Sequence, residues 1–148
     1  MLENRDEILL KIQQLMEAYR KGLLGGEKMP EYENPGLDRR SKENYLYFTL
    51  PMALNYQRNS YVLWECANRL FRDAPMLFDC TAVLSMSESV LQEQLVNYKV
   101  ALQPNKQPAI WKTLCITFAE KFDGDIRNFF RAKEFEISAV KDKVRSDF

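Results

Sequence analysis

Tyr45-Leu46-Tyr47-Phe48-Thr49-Leu50-Pro51-Met52-Ala53-Leu54 leads into Asn55-Tyr56-Gln57-Arg58-Asn59-Ser60, which leads into Tyr61-Val62-Leu63-Trp64-Glu65-Cys66-Ala67-Asn68-Arg69-Leu70-Phe71. The two outer blocks are apolar around most of a helical circumference, as expected of helices at the centre of a domain. The hexapeptide between them is polar throughout. It is either a plain turn or a presented recognition loop, since loops held on rigid scaffolds often carry function.

Ser41 is a suitable N-cap for a helix over 42–55, whose broad face holds Tyr45, Leu46, Phe48, Leu50, Met52 and Leu54. Pro51 within it lacks an N–H and is expected to kink or split it. Asn59 or Ser60 caps the next helix, 60–73. On the N-terminal side, Ile8, Leu9, Ile12, Leu15, Met16 and Tyr19 form one stripe along a helix over 4–21, within an amphipathic segment 1–23. Gly22 and the Gly25-Gly26 pair stop it, and residues 24–41 read as a loop.

Beyond Asp73-Ala74-Pro75, the spacing predicts a short element near 81–84 and a Ser87-capped helix over 88–99. Gln103-Pro104-Asn105-Lys106-Gln107-Pro108 connects to a helix over 107–122 with Pro108 in its first turn. Asp123-Gly124-Asp125 ends that helix. A short helix holding Ile126, Phe129 and Phe130 follows, then a charged one over 134–146. No alternating run suggests a strand and no repeat is visible. The expectation is a single compact all-α domain of 148 residues with about six to seven helices: a core over 42–131 and a charged C-terminal segment over 132–148.

Composition narrows the chemistry. A chain that is 46% hydrophobic and 12% aromatic can bury a real core. Lys plus Arg equals Asp plus Glu at 21 each, so no global field draws the chain to polyanions. Only residues 101–148 are net positive, with 9 basic and 7 acidic side chains. No apolar run is long enough for a bilayer and the N-terminus lacks a secretory pattern, so cytoplasmic residence without membrane partners is the expectation. Cys66, Cys80 and Cys115 lie far apart in apolar contexts and read as small buried hydrophobes. Histidine is absent altogether. That excludes a Ser-His-Asp or Cys-His unit, a His-ligated zinc site and a histidine general base within the chain.

From the helix before Gln57 to the one ending at Gly124, the order of elements resembles the N-terminal helical part of the helix–hairpin–helix DNA glycosylase superfamily. The resemblance spans about residues 43–131. Gln57 falls where that family has a glutamine in the loop between two buried helices. Val83-Leu84-Ser85, Ser87–Tyr98, Leu102–Lys106 and Pro108–Gly124 then follow the family's order. The resemblance implies that Gln57 enters a duplex where a base has been extruded, since a flat amide both stacks and hydrogen-bonds there. It implies no catalytic residue in this chain. The family's Leu-Pro-Gly-Val-Gly-type hairpin, with the catalytic Asp and in bifunctional members the Lys at or beyond it, has no counterpart, and no four-cysteine cluster for an iron–sulfur centre is present. The chain reads as a fragment, a naturally short relative or no relative.

The candidate nucleic-acid-binding residues are Gln57, Arg58, Asn59, Asn105 and Lys106. Arg58 could meet a phosphate or simply be solvated. Asn55 and Asn59 suit turn and cap positions. Asn105-Lys106 precedes a helix N-terminus, where free N–H groups and the dipole favour an anion. Arg39, Arg40 and Lys42 form the densest basic spot. Asp123 and Asp125 lack the further oxygen ligands calcium needs, so turn and cap duty is expected of them, with no metal or cofactor. Trp64 and Trp111 read as core. Two functions follow: recognition of nucleic acid or a nucleoside through residues 55–60, or an all-α protein-interaction or homo-oligomerisation module with an apolar face along 1–23 or 134–148. Whether the chain is an enzyme stays open. If it is, it is an N-glycosylase-like hydrolase with its catalytic residues elsewhere.

Overall fold

Capping chemistry sets most helix starts in the computed structural model, which describes residues 3–25, 34–131 and 136–147. The helices are α1 (Glu3–Arg20), α2 (Lys42–Met52), α3 (Ser60–Asp73), α4 (Cys80–Ser85), α5 (Glu88–Asn97), α6 (Gln107–Phe122), α7 (Ile126–Arg131) and α8 (Ile137–Asp147), with a 3-10 turn over Pro75–Phe78. No strand occurs among the described residues. Ser41 Oγ accepts from Asn44 N–H at 3.1 Å, Asn59 Oδ1 from Val62 N–H at 3.3 Å and Ser87 Oγ from Val90 N–H at 3.4 Å. Asp79 caps α4 in the same way. Pro51 is buried in the last turn of α2, which stops at Met52 rather than 55, where Leu54 and Asn55 N–H turn to Pro51 O and Met52 O in place of the α-helical acceptors.

The core is built by α2 to α7. Trp111, Cys115, Phe118 and Phe122 recur along one side of α6 and are buried, so α6 is the post on which α4, α5 and α7 pack. The indole N–H of Trp111 donates to Leu77 O at 2.9 Å, tying α6 to the 3-10 turn. Tyr47, Phe71, Phe78 and Trp111 form a chain of ring contacts with centroids 5.2–5.6 Å apart. Cys66, Cys80 and Cys115 are free and buried, as expected of small hydrophobes.

At the end of α6, Asp123 and Gly124 both take positive φ, and Gly124 N–H returns to Phe118 O at 2.8 Å. Asp125 then spends both carboxylate oxygens on Arg127, which lowers its pKa from the ordinary value. Arg127 also donates to Arg40 O at 3.0 Å, pinning the segment before α2 to this corner.

Helix α1 stands outside this construction. None of residues 3–25 belongs to the core cluster. Residues 26–33 and 132–135, which include Pro30 and Phe135 of the expected loop and last helix, lie outside the described residues. No described helix is long and apolar enough to cross a membrane.

Candidate functional site

The polar hexapeptide is fixed from both ends. Asn55 Nδ2 donates to Ser60 Oγ at 3.2 Å across the loop, and Asn59 is occupied as the α3 cap. Between them Gln57 is exposed and adopts φ +53, a left-handed conformation uncommon for a residue with a Cβ. It thus stands exposed at the tip of the junction between two core helices.

Its neighbours reach a different part of the chain. Tyr56 donates its hydroxyl to Gln103 Oε1 at 2.9 Å. Arg58 donates from Nη1 to Val100 O at 2.7 Å and from Nη2 to Lys99 O at 2.9 Å. Those carbonyls lie just past the end of α5, where Lys99 also has positive φ and Val100 and Ala101 N–H both return to Leu95 O. A cation is favoured there because the helix leaves unpaired carbonyls and the negative end of its dipole. Burial lowers the Arg58 pKa from its ordinary value, and Arg58 Nε is buried without a partner among the described residues. Arg58 is therefore a clamp between the hexapeptide and the α5–α6 connector, a role that neither the phosphate nor the solvated expectation described.

The clamp places the loop beside the start of α6. The Lys106 ammonium lies 5.4 Å from the centroid of the Tyr56 ring, a cation–π contact. Gln107 folds back and its Oε1 accepts from Leu102 and Gln103 N–H, which stiffens the connector. The amide N–H of Gln107 already donates to Gln103 O and Pro108 has none. The first turn of α6 thus offers an anion little beyond Ala109 N–H, so the cation of Lys106 is the main attraction at this end. Asn105 is exposed and lies on the rim of a cavity of about 490 Å³ between α5 and α6, spanned by the Lys112–Glu88 ion pair at 3.0 Å.

Of the five residues singled out in the sequence, Gln57, Arg58 and Asn59 share one loop, and Lys106 touches that loop through Tyr56. Asn105 is Lys106's neighbour, but its rim position faces a separate groove. Tyr56, Gln103 and Gln107 were not foreseen. Their contacts span up to 47 residues of chain, and nothing in their local pattern marks them. Arg39 and Arg40 lie some distance along the chain, with Arg40 O occupied by Arg127. No cluster of three or more His, Cys, Asp or Glu side chains suited to a metal occurs among the described residues.

Comparison with protein-family models, with curated proteins and with solved structures returned no match.

Proposed function

We propose that this chain recognises nucleic acid through the 55–60 loop, in the manner that its resemblance to the helix–hairpin–helix DNA glycosylases implies, with Gln57 probing the space left by a missing or extruded base. The observation that supports it is the position of Gln57: exposed, at positive φ, on a loop clamped beside the start of α6. A probe for a gap in a base stack must be rigid, because an amide held in place loses little freedom when it inserts. Lys106 supplies a cation at the same edge, where a phosphate backbone would run. Arg58 acts through the loop it positions.

Fluorescence anisotropy with a duplex carrying an abasic analogue, beside the intact duplex, tests this at low salt. Preference for the abasic duplex is expected, with affinity falling as salt rises. Gln57→Ala should remove about tenfold of that preference and leave the melting temperature unchanged, as for a contact to a specific site. Absence of binding at about 50 mM salt overturns the reading.

A second reading is favoured by a different observation. Helix α1 exposes Ile8, Leu9, Ile12, Leu15 and Met16 by 47–58% of their surface, all on one stripe. Contiguous apolar surface of this kind marks interaction sites. It supports an assembly module in which α1 packs on α1 of a second copy.

A further inference from the structure

Helix α3 carries a second concavity on the side turned away from the core. Tyr61, Glu65, Asn68, Arg69 and Arg72 recur along that face at helical spacing, and with Tyr47 and Trp64 they line a cavity of about 690 Å³. Its volume is in the range of small-molecule sites. The floor is aromatic. Tyr47 and Trp64 are almost wholly buried, and their rings lie 5.7 Å apart. The buried indole N–H of Trp64 has no hydrogen-bond partner among the described residues.

The walls carry two cations. Among the described residues neither Arg69 nor Arg72 has an acid partner, although Glu65 and Asp73 stand on the same rim. Asp73 instead accepts the Tyr98 hydroxyl at 3.0 Å, and Arg69 makes only a long contact, 3.7 Å, to Cys66 Sγ. Two unpaired guanidinium forks above an aromatic floor suit an oxyanion attached to a flat body, because the forks match carboxylate or phosphate oxygens and the rings pack against the body.

We propose that the α3 groove binds a small organic anion, its carboxylate or phosphate held by Arg69 and Arg72 and its flat body lying against Tyr61 and Trp64. This site is independent of the 55–60 loop.

Isothermal titration of the full chain with adenosine monophosphate, anthranilate, adenosine and inorganic phosphate tests the proposal. At least one of the first two should bind with Kd below about 1 mM, and head or body alone at least about tenfold more weakly. Binding by the nucleotide alone identifies a phosphate head, by anthranilate alone a carboxylate, and by both a general oxyanion site. Quenching of tryptophan emission should accompany binding, since Trp64 lines the groove and Trp111 is sealed in the core. The double substitution Arg69→Gln with Arg72→Gln, on exposed side chains, should keep the melting temperature and weaken binding by more than about tenfold. Tyr61→Ala should weaken it also. The proposal is overturned if neither anion binds, if the double variant keeps full affinity, or if Gln57→Ala abolishes binding while the arginine variant does not.

Discussion

Gln57 is the residue at which local preference and proposed use conflict. A non-glycine residue at φ +53 gives up about 1 kcal/mol relative to the right-handed region, and such positions persist only where the surroundings hold them. Here the holding groups are Asn55, Arg58 and Asn59 on either side. Glycine reaches this conformation freely but loses more chain entropy on folding, which offsets part of the gain. Gln57→Gly is therefore expected to raise stability by about 0.5 kcal/mol in a urea titration while abolishing the abasic preference. A glycine variant that is less stable than the parent would mean that the amide itself holds the loop and is not presented for binding. The identity of this residue was legible in the sequence. Its backbone conformation was not, because nothing in Tyr56-Gln57-Arg58 carries the Gly or Asn signal that usually marks positive φ.

At the scale of elements, caps and breakers proved readable because each acts within four residues. Ser41 and Ser87 were placed correctly as caps, Asn59 was one of the two caps offered for α3, and Pro108 lies in the first turn of α6 as expected. The 3-10 turn over Pro75–Phe78 was not foreseen, since its geometry is fixed by the Trp111 bond to Leu77 O, 34 residues away. The same distance problem hid the junction between the hexapeptide and the α5–α6 connector. That junction rests on Arg58, whose loss leaves Lys99 O and Val100 O without their donors. Arg58→Met retains the stem but not the hydrogen bonds, and should cost about 1–3 kcal/mol. Hydrogen exchange should then accelerate at residues 99–106 and leave the α6 interior slow. If exchange stays slow across the connector, Arg58 is not what holds it to the 55–60 loop.

Across the whole molecule, the apolar stripes of α2 to α7 meet in one core, whereas the equally clear stripe of α1 meets nothing in it. A sequence pattern states that a face seeks cover but not which surface covers it, which is why the fold class was legible and 1–23 could be named only as one of two candidate faces, beside 134–148. An 18-residue helix is marginal in water by itself, so most of its stability must come from packing. A second copy suits its charges. Glu7 and Lys21 pair within the chain with Lys11 and Glu17, which leaves Asp6 near the start of α1 and Arg20 at its end, and antiparallel pairing brings these opposite charges together with the dipoles opposed. The five half-exposed stripe side chains of each copy gain roughly 10 kcal/mol in total on mutual burial at about 1 kcal/mol each, against an association cost of about 4–15 kcal/mol. The balance points to a reversible dimer rather than an obligate one. Sedimentation velocity from about 1 to 100 µM should show monomer passing to dimer, and far-ultraviolet dichroism should lose helix on dilution as α1 melts. Leu15→Glu with Ile12→Glu should abolish both changes and leave the melting of the α2–α7 core unaltered, because neither side chain touches it. A parent protein that stays monomeric at every concentration, with α1 equally helical throughout, removes self-pairing as the explanation of that face.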